Sequence, residues 1–149
     1  MKSCVFFGHR TGNYQDSREE IKTIISKLIE KENVTQFYSG GRGNFDEICS
    51  ELVGELRKKY PQIRNTLFYS YIPKKDEYGL AKKYDDSVYV LENNVPKKYA
   101  IIKTNEAIIN RCEVVIVAIQ HDWGGAYRAY RYAKQKKKQI INLFGDTFL

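Results

Sequence analysis

The sequence predicts an α/β domain with a mostly parallel sheet and helices on both of its faces. Three observations predict it. Short apolar, β-forming segments alternate with segments of helical periodicity along the whole chain. One of them, Glu113-Val114-Val115-Ile116-Val117-Ala118-Ile119, is a near-continuous β-branched run, the composition of a strand buried on both faces. Glycine clusters stand where strands give way to helices.

The elements follow in order. Cys4-Val5-Phe6-Phe7 reads as a buried strand that stops at Gly8-His9-Arg10-Thr11-Gly12. A helix follows, capped by Asp16 or Ser17, with Glu19 and Glu20 in its first turn. Ile21, Ile24, Ile25, Leu28 and Ile29 supply its apolar stripe, and Asn33 its stop. Thr35 to Ser39 is a second strand, closed by Gly40-Gly41-Arg42-Gly43. The next helix takes Asn44 as its cap, buries Phe45, Ile48, Cys49, Leu52, Val53 and Leu56, and ends at Pro61. Thr66 to Ile72 is a third strand. Pro73 to Asp86 is polar and charged, and reads as a loop or a poorly ordered excursion. Ser87 to Leu91 is a short strand. Pro96 marks a helix start, with Tyr99, Ile102, Ala107, Ile108 and Ile109 inside that helix. After the strand at 113–119, Gln120 to Gly125 forms a turn, and a helix runs through Tyr127, Tyr130 and Ala133. Gln139 to Phe144 is the last strand. No internal repeat or low-complexity segment interrupts this order.

Composition narrows the class. The chain has 149 residues, 42% hydrophobic and 29% charged, which excludes disordered and fibrous chains. The length suits one domain over residues 1–149 that needs no disulfide or metal to fold. No apolar run reaches the roughly 18 residues of a membrane span. The stretch from Met1 to Gly8 is apolar for only four residues, too short for a signal peptide, so the expected location is the cytoplasm. Cys4, Cys49 and Cys112 form no C-x-x-C pair and are odd in number, so they read as buried small hydrophobes. His9 and His121 are too few for a metal site, and no metal or resident cofactor is expected.

Twenty-five Lys and Arg against 18 Asp and Glu leave a net charge of +7. Lys134, Lys136, Lys137 and Lys138 contribute a run that reads first as a solvated helix end and second as an anion or nucleic-acid patch.

In an open parallel sheet, ligands bind outside the carboxyl ends of the strands. Three post-strand loops therefore carry the candidate chemistry. They are Gly8-His9-Arg10-Thr11-Gly12, Ser39-Gly40-Gly41-Arg42-Gly43-Asn44-Phe45-Asp46 and Asp122-Trp123-Gly124-Gly125. Glycine admits close approach of an anion to the backbone, and a helix start offers unpaired N–H groups. Arg10 and Arg42 add guanidinium groups that match phosphate oxygens, and Trp123 adds a flat face for a base or sugar. Each loop alone is explained by the need for glycine in a tight turn. Together they point to an anionic ligand. The second loop lacks the Gly-Lys-Ser/Thr of a Walker A motif, and it is not Gly-x-Gly-x-x-Gly.

The segments Cys4-Val5-Phe6-Phe7-Gly8-His9-Arg10 and Ser39-Gly40-Gly41-Arg42-Gly43-Asn44-Phe45-Asp46 resemble those of the short bacterial SLOG proteins, the YpsA-like group. Gly124-Gly125-Ala126-Tyr127-Arg128-Ala129-Tyr130-Arg131-Tyr132-Ala133-Lys134 resembles that group's last strand-to-helix turn and helix, so the likeness extends over essentially the whole chain. The resemblance implies a Rossmann-like, three-layer α/β/α fold. It also implies a distant relation to the lysine decarboxylase-like LOG enzymes and to the DNA-processing protein DprA. Members of that superfamily bind nucleotides or nucleotide-derived ligands. Some act as sensors, and some cleave the N-glycosidic bond of nucleoside monophosphates. The LOG enzymes carry Pro-Gly-Gly-x-Gly-Thr-x-x-Glu with a catalytic glutamate. Aligned on Gly124-Gly125, this chain has Tyr127 and Arg128 for Gly-Thr and Arg131 for the glutamate. A cation cannot replace a carboxylate that stabilises an oxocarbenium-like transition state. Where the short SLOG group often has Arg-Asn before the fifth strand, this chain reads Thr104-Asn105.

The remaining acidic candidates are few. Asp46 can act as acid or base or hold a ribose hydroxyl, and it can equally cap its own helix. Glu47, its neighbour, faces elsewhere on the helix. Asp122 can bind ribose or simply form its turn. His9 reads first as a phosphate contact and second as a hydrogen-bonding partner within its own loop. Tyr69 and Tyr71 alternate, which sends one of them to the core. Tyr127, Tyr130 and Tyr132, with Arg128 and Arg131, read first as an amphipathic helix with half-buried tyrosines, then as a self-association surface for a homo-oligomer, then as a nucleic-acid stacking surface. The expected function is binding of a nucleotide such as AMP, NAD or ADP-ribose, in a sensor or, alternatively, in an N-glycosidic hydrolase with Asp46 as acid/base. A nucleic-acid-binding module ranks below both.

Overall fold

The structure is a computed structural model, and it describes residues 2–71, 82–91 and 94–145. Its strands are β1 (Lys2–Gly8), β2 (Val34–Ser39), β3 (Arg64–Tyr69), β4 (Asp86–Tyr89), β5 (Val114–Ala118) and β6 (Gln139–Asn142). Its helices are α1 (Arg18–Glu32), α2 (Asn44–Lys59), α3 (Ala100–Arg111) and α4 (Gly125–Gln135). The strands form one sheet in the order β4-β3-β2-β1-β5-β6, with every neighbouring pair parallel. The chain grows outward from β1 to β4 and then returns to the other side of β1 through β5. The order reverses between β1 and β5, and there the sheet opens a crevice at its carboxyl edge.

Period-two alternation makes the three layers. Cys4 and Phe6 of β1 and Val114 and Ile116 of β5 join one core with α1 and α2. Val5 and Phe7 of β1 and Val115 and Val117 of β5 join the other with α3 and α4. All five residues of β5 are buried, which is why that segment reads as an unbroken apolar run. This is the Rossmann-like α/β/α arrangement expected. The three cysteines are free and buried, also as expected. Burial pushes the Cys4 and Cys49 thiols up, and that of Cys112 to about 12, so they pack rather than react.

Several boundaries differ from the sequence reading. α2 is capped by Gly43, not Asn44. The Asn44 amide instead donates to the Gly12 carbonyl at 2.8 Å, so a residue with capping chemistry is spent on tying two loops together. β3 starts at Arg64, earlier than Thr66, and Ile72 lies outside the described residues, as do residues 73–81 of the expected loop. The end of that stretch is fastened. The Asp85 N–H donates to the Asn65 carbonyl, its carboxylate accepts from the Asn65 N–H and pairs with Arg57, and Asp86 already belongs to β4. Tyr99 sits in a short 3-10 turn, Lys97–Tyr99, before α3 and is exposed. Asn33 stops α1 in the left-handed conformation at φ 58°, as its position suggested.

Among the described residues no helix is long and apolar enough to cross a membrane. No group of three His, Cys, Asp or Glu residues among them is placed to hold a metal ion.

Candidate functional site

Loops leaving β1, β2, β3 and β5 meet over the carboxyl edge of the sheet. Together with the starts of α3 and α4 they enclose an open cleft of about 1550 Å³, larger than the roughly 300–1,000 Å³ of ordinary ligand pockets. Gly8, His9, Arg10, Gly40, Gly41, Arg42, Asp46, Trp123, Gly124 and Gly125 all line it. Asp122 and Gly43 do not. Asp122 is exposed outside the cleft. Gly43 borders a separate cavity of about 180 Å³ with Asn44, Glu47, Ser50, Lys83 and Tyr84.

The first two loops are held against each other. The Asn44 N–H donates to the Arg10 carbonyl at 2.9 Å, beside the Asn44–Gly12 bond. Gly43 adopts φ 112°, and a Cβ on it would lie 2.8 Å from Arg10 Cα. Gly8 passes so close to Phe45 that a Cβ would fall 2.4 Å from the Phe45 Cβ. Phe45 in turn packs edge-on against Phe6 and Tyr14, and the Tyr14 hydroxyl donates to the His9 carbonyl at 3.2 Å. The core thus sets the height and tilt of both loops.

Asp46 stands in the first turn of α2 at the floor of the cleft. Its Oδ2 accepts the Arg42 N–H at 3.1 Å. A Cβ on Gly40 would sit 3.6 Å from that same oxygen. Burial pushes the carboxyl up to about 7, against the lowering influence of the Arg42 N–H and the Arg10 charge. Asp46 therefore braces its loop and also carries a proton that exchanges near neutrality. Glu47 faces the smaller cavity.

The lining is cationic. Among the described residues, Arg10, Arg42, Lys97, Lys98 and Arg128 line the cleft together with one carboxylate, Asp46. No ion pair among the described residues engages the side chains of Arg42 or Arg128. Low-dielectric walls around same-sign charges concentrate anions. Arg131, at the position of the LOG glutamate, is exposed and does not line the cleft, whereas Arg128 does. Asn105 lines it too, although the arginine expected before it is Thr104, which is fully buried.

The sequence reading missed part of the wall. Lys97 and Lys98 lie beyond a segment of no recognisable motif, and only the chain path brings them to the cleft. Tyr69 and Tyr71 both line the cleft and neither is buried, because β3 ends at Tyr69 and alternation stops with it. His9 and His121 stack at 3.5 Å between ring centroids. They stand on different loops, and residue spacing carries no sign of their meeting. The His9 Nε2 accepts the Gln120 N–H at 3.0 Å, which leaves that nitrogen without a proton. Burial and the neighbouring His121 hold the His9 ring below its usual basicity. On α4, Tyr130 is buried and Tyr127 and Tyr132 are partly buried against the same core, the amphipathic arrangement expected first.

No family model and no curated protein sequence matches the chain. Solved structures do. DNA processing protein A (DprA) from Streptococcus pneumoniae superposes with a TM-score of 0.69 at 15% identity, covering 95% of this chain and 50% of that one. DNA processing protein A from Helicobacter pylori, which binds single-stranded DNA, gives 0.68 at 17% identity, covering 95% of this chain and 64% of that one. The molybdenum cofactor carrier protein of Chlamydomonas reinhardtii gives 0.56 at 9% identity, covering 95% and 76%. This chain spans half to about two thirds of the length of the two DprA chains. These likenesses show a Rossmann-like α/β/α fold of the kind seen in the two DprA chains.

Proposed function

We propose that the protein binds a nucleotide or nucleotide-derived ligand in the cleft, as a short SLOG protein of the YpsA-like type, and that it acts as a sensor of that ligand. One observation carries the reading. Three glycine loops from separate parts of the chain converge at the switch point of the sheet, in a cleft lined, among the described residues, by five cationic side chains and one carboxylate. A phosphate fits over the first two loops, where Arg10 and Arg42 supply guanidinium groups beside the start of α2. Titration calorimetry with AMP, ADP, NAD and ADP-ribose tests it. Binding is expected for at least one, and Arg42→Ala is expected to weaken it tenfold or more while the melting temperature stays within about 2 °C. Equal affinity in Arg42→Ala removes the second loop from the site.

A second reading rests on Asp46. A carboxyl titrating near 7 at the cleft floor suits general acid/base work at neutral pH. In that reading protonated Asp46 donates to the leaving base of AMP as the N-glycosidic bond breaks, water adds its hydroxyl to the sugar, and the water's remaining proton returns to Asp46. Release of free base from AMP or NAD, followed by chromatography and lost in Asp46→Asn, distinguishes enzyme from sensor. Single-stranded DNA, the ligand of the Helicobacter protein, is tested by filter retention at rising salt, since phosphate-driven binding weakens steeply.

A further inference from the structure

Three rings from two loops form a continuous stack at one end of the cleft. His9 follows β1, while His121 and Trp123 follow β5. The His9 and His121 centroids are 3.5 Å apart with planes 18° from parallel, and His121 and Trp123 are 3.9 Å apart at the same angle. The stack belongs to neither core cluster. Its inner end is anchored, because the His9 Nε2 accepts the Gln120 N–H at 3.0 Å. Its middle ring, His121, lies between the other two, and its buried Nδ1 has no hydrogen-bond partner among the described residues.

The outer end is open. Trp123 lays one face on His121 and is still 66% exposed, the most exposed large hydrophobic side chain among the described residues. With one face on His121 and two thirds of its surface exposed, the indole keeps its other face open, and its residue lines the cleft. Among the described residues the space beside it is clear. A Cβ on Gly125 would meet nothing within 4 Å, and one on Gly124 only His121 Cε1 at 3.9 Å. Arg128 stands in the first turn of α4 and lines the same cleft. A flat, immobilised indole face of this kind takes a second flat π system, and every nucleobase offers one.

We propose that the open face of Trp123 seats the base of a nucleoside phosphate, as the fourth ring of the His9–His121–Trp123 stack. The ligand class is then a base-bearing nucleotide and not a sugar phosphate or inorganic phosphate. This rests on the reading that the cleft binds a phosphate-bearing ligand, and adds which end of the cleft holds the base.

Trp123 is the single tryptophan beside twelve tyrosines, so fluorescence excited beyond the tyrosine absorption band reports on this residue alone. The experiment titrates AMP, GMP, CMP and UMP, with ribose 5-phosphate as the base-free control, by calorimetry and by fluorescence in parallel. At least one nucleotide is expected to bind and quench Trp123, while ribose 5-phosphate binds more weakly and without quenching. Trp123→Ala is expected to cost that nucleotide about tenfold or more in affinity, the scale of one base–aromatic stack. Ribose 5-phosphate affinity stays unchanged in this variant, and Trp123→Phe recovers part of the loss. Nucleotide binding that neither quenches Trp123 nor weakens in Trp123→Ala overturns the base seat and leaves the phosphate reading standing. No binding of any nucleotide or of ribose 5-phosphate overturns both. Quenching by an oligonucleotide but by no mononucleotide overturns the mononucleotide seat and assigns the face to nucleic acid instead. A fluorescence change on raising protein concentration alone overturns it too, and makes the face a contact between copies of the chain.

Discussion

The glycines of the first two loops and those of the third look alike in the sequence and do opposite things. Gly8 and Gly43 are filled in by the protein itself, by Phe45 and by the backbone of Arg10. Gly124 and Gly125 have next to nothing beside them. The first pair exists so that two loops can interlock over the core. The second pair leaves the start of α4 bare to the cleft. A glycine after a strand is therefore not one signal. It marks close packing in one place, and in another a left-handed turn, with Gly124 at φ 93°, that has open space beside it among the described residues.

Substitution separates the two kinds. Gly43→Ala carries the largest expected effect, since it combines φ 112° with a backbone clash at 2.8 Å. A loss of about 3 kcal/mol or more is expected. At roughly 2–4 °C per kcal/mol for this size, its melting temperature falls by roughly 6–12 °C. A melting temperature unchanged in Gly43→Ala would break the contrast at its strongest point.

Asp46 shows what the interlocked side costs. Its folded value of about 7 lies above the 3.8 of the free side chain. The folded state thus holds the proton more tightly than the unfolded state between those values. The stability it contributes is fully present below about pH 4 and is lost as pH rises through about 7. Asp46→Asn removes this slope while keeping an oxygen to accept the Arg42 N–H. At pH 8 the variant is expected to be more stable by about 2 kcal/mol. Converted in full at about 1.4 kcal/mol for each tenfold change in proton affinity, the rise from 3.8 to about 7 would give roughly 4 kcal/mol, and the smaller figure allows for solvent screening of a half-buried side chain. The difference disappears near pH 4. Denaturant unfolding at both pH values reads it directly, and an equal gain at both would assign the effect to something other than the carboxyl's proton.

A smaller change follows from Asn44→Ala. It deletes the 2.8 Å bond to the Gly12 carbonyl, with about 1 kcal/mol of stability lost. Amide exchange in the 9–14 loop should rise with it, whereas protection in α4 should not. The smallest expected effect is that of Gly125→Ala. With nothing within 4 Å of the added methyl, the protein keeps its stability or gains about 0.5 kcal/mol, while nucleotide affinity falls. Destabilisation there by more than about 1 kcal/mol would show that the third loop is as tightly packed as the others.

How much of this was legible follows the same division. β5 was plain because a strand buried on both faces leaves an unbroken apolar record. Asn33 was plain because few residues other than glycine tolerate a left-handed stop. The three loops were found because the sheet's carboxyl edge is where such folds put their ligands. The internal workings of those loops were not legible. Asn44 carries the chemistry of a cap, and nothing local says that Gly12 claims its amide. The His9–His121 stack and the His9–Gln120 bond join residues more than a hundred positions apart. Lys97 and Lys98 look like any solvated pair until α3 is docked. Local pattern records what the chain does with its nearest neighbours, and a site assembled from four loops is mostly made of distant ones.

A phosphate-bearing nucleotide in this cleft is tested most simply by thermal unfolding against AMP, ADP, NAD, ADP-ribose and cyclic mononucleotides. A ligand at a hundred times its dissociation constant stabilises by about 2.7 kcal/mol. For this length that is roughly 5–11 °C. A shift of that size is expected for at least one nucleotide, and it is lost in Arg42→Ala. No shift with any of them would refute nucleotide binding here and leave the three loops as ordinary strand-to-helix turns.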